Sequence, residues 1–219
     1  MAALTKMRLS SGSECSMITK KHAIVALIGL TLALPSLSWA NGNIKGKVAV
    51  LGLRSAENIV VYVDVIPGKT FSPQAWQHPV VNQKNMKFDP HVQVVLKGTT
   101  VEFLNSDMVN HNVFWPSIDG NKKLAHNLGT WPQGQKKPFQ FNDLGAVPLL
   151  CNAHAEMSGY VVVVPTPYFA TTDSKGDFFI WDVPPGHYTL KTWSAGGKPT
   201  SQEVDVTAGG ANVTLTVKK

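Results

Sequence analysis

The chain has 219 residues, 43% of them hydrophobic and only 16% charged, with 18 Gly and 14 Pro. That composition excludes a disordered, collagen-like or coiled-coil chain and suits short strands joined by turns. The net charge is +6, half of it from Lys6, Arg8, Lys20 and Lys21 against Glu14 in residues 1–40; the balance left for the rest is too mild for a nucleic-acid binder.

In chain order, residues 17–40 come first as a unit. Met17 opens a basic start with Lys20-Lys21, followed by an apolar run from Ala23 to Leu34, then Pro35 and Ser38-Trp39-Ala40. Small residues at both cleavage positions complete the pattern of a secretory signal peptide cut near Ala40. The apolar run is short for a membrane span, so a periplasmic protein with no membrane span after cleavage is expected. Residues 1–16 read as an upstream extension. Of two Cys, Cys15 leaves with the signal and Cys151 stays, which rules out an internal disulfide. A lone thiol in an oxidising compartment must be buried, pair with another chain or bind a metal.

Alternation predicts strands at Ile44–Leu51 and Asn58–Ile66, closed by Pro67-Gly68. Residues 67–83 read as polar and irregular. Strands follow at Val92–Leu96 and Thr99–Leu104, with turn chemistry at Asn105-Ser106-Asp107 and a short apolar stretch ending at Trp115. Residues 116–138 read as loop. Phe139–Phe141 and Val147–Leu150 are strand-like, and the nearly all-apolar Tyr160–Val164 reads as a strand buried on both faces. The tail alternates strand and turn at Phe178–Trp181, Tyr188–Trp193, Gln202–Val206 and Asn212–Val217. No long helical period is present, so an all-β sandwich architecture is predicted.

Chemistry concentrates in Cys151-Asn152-Ala153-His154-Ala155-Glu156-Met157, between two predicted strands. Thiolate, imidazole and thioether are soft donors that suit copper; two His nitrogens, one Cys sulfur and a weak axial Met suit a copper that cycles between two oxidation states. The loop lacks a second His, and His111, just past another strand, can supply it. Zinc is the metallic rival, since a thiolate and two imidazoles also suit it, but a Met ligand argues against zinc. His78, Met86 and His91 could form a second metal site, although a solvent-facing or capping role suits them better. His126 and His187 read as turn residues without a role. Trp115, Trp131 and Trp193 read as packing residues, the first two near the metal pole.

Residues 80–165 resemble the cupredoxins, the small blue-copper proteins, through Val94–Gly98, Thr100-Val101-Glu102-Phe103, Asn105-x-Asp107, His111-Asn112-Val113 and Cys151-x2-His154-x2-Met157-x2-Tyr160. The short His154–Met157 gap is more amicyanin-like than plastocyanin-like. The resemblance implies one type 1 copper held by His111, Cys151, His154 and Met157, with the backbone N–H of Asn112 on the Cys sulfur and its side chain tying the two ligand loops. Ala155-Glu156 is a departure inside the loop.

The tail resembles the carboxypeptidase regulatory-like domain, a transthyretin-like sandwich, in Thr172-Asp173-Ser174-Lys175-Gly176-Asp177-Phe178 and Val183-Pro184-Pro185-Gly186-His187-Tyr188. That family's first two strands have counterparts in Gly46-Lys47-Val48 and Asn58–Val63, far upstream. Residues 44–66 plus 166–219 are therefore expected to form this sandwich with the cupredoxin inserted, a plain tandem pair being the alternative. Chains of this two-domain type are similar to methylamine-utilisation proteins. No Ser/His/Asp or His/Glu zinc constellation supports peptidase activity. The expectation is a non-enzymatic soluble one-electron carrier with a redox partner protein. A copper-holding or copper-delivery protein without redox turnover is the alternative. An oxidase or reductase is weaker, since additional His clusters are missing.

Overall fold

The computed structural model describes residues 40–76 and 78–219; the predicted signal segment, apart from Ala40, lies outside the described residues. Among the described residues the fold is all-β, with sixteen strands and one short 3-10 turn, Lys122–Leu124. Among the described residues no helix is long and apolar enough to cross a membrane.

The first strand, β1 (Gly42–Leu51), buries Ile44 and Val48 and turns Lys45 and Lys47 outward. Its neighbours come from the far end of the chain. It pairs antiparallel with β13 (Asp177–Val183) and parallel with β16 (Ala211–Lys218). The next strand, β2 (Val60–Val63), lies between β12 (Phe169–Thr171) and β14 (Gly186–Trp193), with β15 (Ser201–Val206) outermost. Both sheets bury their apolar alternates in one core, which includes Ile44, Val48, Val61, Val63, Ile180, Leu190 and Leu215. Asp173 shapes the turn into β13: its Oδ1 accepts from the amides of Lys175 (2.8 Å) and Asp177 (2.9 Å). Gly176 there has φ +81°, and a Cβ on it would collide with the Val48 carbonyl.

The central residues make two further sheets. One joins β3 (Val80–Lys84), β4 (Lys87–Asp89), β6 (Thr100–Asn105) and β9 (Lys136–Gln140) in the order β4-β3-β6-β9. The other joins β5 (Val92–Leu96), β7 (His111–Trp115), β8 (His126–Trp131), β10 (Gly145–Leu150) and β11 (Ser158–Val164) in the order β5-β11-β10-β7-β8. Val81, Phe103, Val113, Trp115, Phe141, Leu149 and Val161 fill the space between them.

β11 is apolar because both its faces are covered. Val161 and Val163 enter the central core, while Val162 and Val164 meet Val60, Val92 and Val94 in a separate cluster flanked by Tyr62, Tyr160, Phe169 and Trp193. Each fully buried valine of that seam is worth about 1.5–3 kcal/mol.

Three expectations are corrected. The stretch read as irregular to residue 83 contains most of β3, whose inward positions are Val81 and the polar Gln83. The stretch read as loop to residue 138 holds β8, mostly exposed along its first half, and the start of β9. His126 and His187 lie in β8 and β14 rather than in turns.

Candidate metal centre

Strands β10 and β11 pair in register up to Leu150↔Ser158, leaving Cys151–Met157 as the loop that joins them. The Met157 amide donates to the His154 carbonyl (3.0 Å), closing the loop into a turn. This folds Cys151 and Met157 inward, where both are buried in the central core. His111 opens β7, which pairs with β10 at Phe114↔Leu150. The pairing carries His111 to the same pole as Cys151.

Three donor atoms converge there. Nδ1 of His111 lies 3.1 Å from Nδ1 of His154, and the Cys151 Sγ lies 4.0 Å from the first and 3.8 Å from the second. A single ion binding nitrogen at about 2.0–2.1 Å and sulfur at about 2.3 Å subtends edges of this size. Among the described residues, His111, Cys151 and His154 form the one group of His, Cys, Asp or Glu donors close enough to share a metal. His111 is fully enclosed, whereas His154 is half-buried between the exposed Ala153 and Ala155.

The surroundings select the state of these donors. Nε2 of His111 is 2.9 Å from Oδ2 of Asp107. With the proton on Nε2, the Nδ1 lone pair is left facing Cys151 and His154. The Asp107 carboxylate also accepts from the amides of Asn85 (2.7 Å) and Met86 (3.0 Å). Burial pushes the Asp107 carboxyl up, but these two amides and the His111 ring outweigh it and hold the group below the usual carboxylate range. The buried Asn105 fixes the same loop. Its Nδ2 donates to the carbonyls of Val109 (2.8 Å) and Trp131 (3.0 Å), and its Oδ1 accepts from the Asp107 amide (2.9 Å).

Asn112 links the two loops. Its backbone N–H points at the Cys151 Sγ (3.5 Å), and its Oδ1 accepts from the Asn152 amide (3.3 Å). Nδ2 of Asn112 donates to Oδ1 of Asn127 and to the carbonyl of Gly129, both at 2.9 Å. A cysteine sulfur and two imidazole nitrogens converging on one point suit a soft metal ion such as copper.

His78 and His91 are engaged elsewhere. A ring nitrogen of His78 bonds the Ala75 carbonyl (2.9 Å), and His91 bonds the Ser158 carbonyl (3.1 Å) and packs edge-on against Tyr160. Met86 packs against the central core. Trp131 lies directly opposite His111 across β7 and β8, while Trp115, at the other end of β7, packs edge-on against Phe139 and at a tilt against Phe141. The sequence offers Asp107 as turn chemistry and within Asn105-x-Asp107 but not as the partner of His111, and it singles out neither Asn127 nor Gly129. The four-residue step from Asp107 to His111 is the only trace of the first, and Asn-x-Gly of the others.

Residues 77–164 match the family described as copper binding proteins, plastocyanin/azurin family, and residues 152–218 match the carboxypeptidase regulatory-like domain. Solved structures of amicyanin are similar to the chain. A reduced mutant is 26% identical and covers 45% of this chain and 96% of its own, with a TM-score of 0.37. An oxidised mutant is 27% identical with the same coverage and TM-score. A Cu(I) mutant is 24% identical and covers 49% of this chain and 99% of its own, also with a TM-score of 0.37. No curated protein matches the chain. The middle of the chain thus resembles the plastocyanin/azurin copper-binding proteins, and the tail the carboxypeptidase regulatory-like domain.

Proposed function

We propose that the chain is an exported type 1 copper protein that carries single electrons, with His111, Cys151, His154 and Met157 as ligands. The observation that carries this reading is the convergence of Nδ1 of His111, Sγ of Cys151 and Nδ1 of His154 on one point. Bound there, copper would supply one-electron exchange between its two oxidation states. The protein's part is to hold the donors still. Asp107 keeps the His111 proton on Nε2, and the Asn112 N–H offsets charge on the Cys151 sulfur. The half-buried His154 ring offers an edge from which an electron can reach a partner protein, whereas His111 is shut in.

Two wider assignments belong to the same proposal. Residues 80–165 are the copper domain, inserted into a sandwich of 44–66 and 166–219; the pairing of β1 with β13 and β16, and of β2 with β12 and β14, supports this. Export to the periplasm rests on the residue pattern of 17–40.

The test is a visible spectrum, a midpoint potential and mediator exchange kinetics on copper-loaded protein. An intense thiolate-to-copper band with fast exchange supports the carrier. A colourless adduct sinks the site assignment, and a blue adduct that exchanges electrons negligibly favours copper holding or delivery.

A further inference from the structure

We propose that Asn127 is a positioning residue for the metal loop, acting through Asn112 from a β-bulge in the neighbouring strand. The bulge is read from the pairing of β7 with β8. Val113 faces Gly129 and Phe114 faces Asn127, so Leu128 is the extra residue. Gly129 has φ +80°, a left-handed conformation that side chains other than hydrogen resist. The Leu128 carbonyl accepts from Nζ of Lys137 (2.7 Å), and that amine also sits 5.1 Å over the Trp131 ring. A strand of the opposite sheet therefore pins the bulge.

The distortion brings two oxygens to one place. Asn127 Oδ1 accepts from the Gly129 amide (2.8 Å) and from Asn112 Nδ2 (2.9 Å), and the Gly129 carbonyl accepts from the same Nδ2 (2.9 Å). Both hydrogens of the Asn112 amide are used by β8, leaving its oxygen for the Asn152 amide. With the Asn112 amide flipped, its oxygen would face two oxygens and its NH2 would face the Asn152 N–H. Asn127 thus sets which way the amide points. Asn112 bonds Cys151 through its backbone and the next residue through its side chain, so its orientation sets the place of the loop that bears Cys151 and His154 relative to His111.

The consequence for electron transfer rests on the copper reading, but the positioning does not, and the experiment separates them. In the metal-free full chain, Asn127→Ala should speed hydrogen exchange of the Asn152 amide about three- to tenfold, as loss of one hydrogen bond does. Asn127→Asp keeps an oxygen for both donors and should keep that amide slow. Lys137→Met, which frees the Leu128 carbonyl and removes the charge over the Trp131 ring but leaves Asn127 and Asn112 unaltered, should speed the same amide by a smaller factor and serves if Asn127→Ala does not fold. An unchanged Asn152 exchange rate in Asn127→Ala, or in Lys137→Met where that variant stands in, overturns the proposal. In the copper-loaded protein, Asn127→Ala should move both the thiolate band and the midpoint potential. If amide exchange responds but even the unsubstituted protein shows no thiolate band, the positioning stands and the copper reading falls.

Discussion

Nε2 of His111 and Oδ2 of Asp107 lie 2.9 Å apart, a carboxylate–imidazole pair placed behind a ring whose other nitrogen faces Cys151. The ring is fully buried, so no water competes for Nε2. Asp107→Ala should leave that N–H unpaired and the ring free to turn. Removal of such an outer partner typically costs 10–100-fold in metal affinity. A competition titration with a copper chelator measures it; an unchanged affinity would show that packing alone orients His111.

Cys151→Ser should abolish the intense visible band, because Cys151 is the thiol at the convergence point. Copper bound through the remaining nitrogens would be pale. Absorption spectroscopy of the variant decides the matter, and a retained blue colour would move the centre elsewhere.

Met157→Leu should leave the fold nearly untouched, since a Met-to-Leu exchange of similar volume usually costs less than about 1.5 kcal/mol. On the proposed ligand set, losing the Met157 thioether would destabilise Cu(II) more than Cu(I), so the midpoint potential should rise. Voltammetry reads the sign directly.

A fragment of residues 166–219 should not fold cooperatively by itself. Within it β13 lacks β1, and β12 and β14 lack β2 between them. Adding a peptide of residues 41–66 should restore dispersed amide signals in a nitrogen–proton correlation spectrum. A sharp thermal transition for the fragment alone would count against the inserted arrangement.

His187 should titrate above its usual value of 6.5. The hydrogen bond from its ring to Asp205 (2.7 Å) raises it most, followed by the charge of Asp205, against a small opposing effect of burial, with Glu203 adding to the rise. A pKa raised on folding means the pair stabilises below the unfolded value and loses its effect as pH climbs through the folded one. The ring is well exposed, so the stability change is small. NMR titration of the imidazole checks it, and Asp205→Asn should bring the midpoint down.

Alternating or continuous apolar strands are legible in the sequence because burial of one or both faces dictates their pattern. β13, β14 and β16 show alternate buried residues, and β11 is nearly uniform because it is covered twice. β3 and β8 escape this reading. β3 carries Asn82, Gln83 and Lys84, and β8 leaves His126 and Asn127 exposed at a sheet edge. The donors within Cys151–Met157 stand out because one short loop holds them. Asp107, Asn127 and Gly129 do not, since hydrogen-bonding geometry between separate strands imposes no periodicity on sequence.

The parallel pairing of β1 with β16 bears on the order in which the molecule is made. A ribosome delivers residues 42–51 before anything they can pair with; both neighbours of β1 lie within residues 177–218. The sheets of residues 80–164 draw all their strands from one continuous stretch and can close before the tail joins them. β1 waits through that interval with both hydrogen-bonding edges open and with Ile44 and Val48 in water, a template for intermolecular pairing. Its exposed Lys45 and Lys47 put charge on a strand whose partners lie farthest away in sequence, and closing so long a loop costs more chain entropy than pairing within residues 80–164.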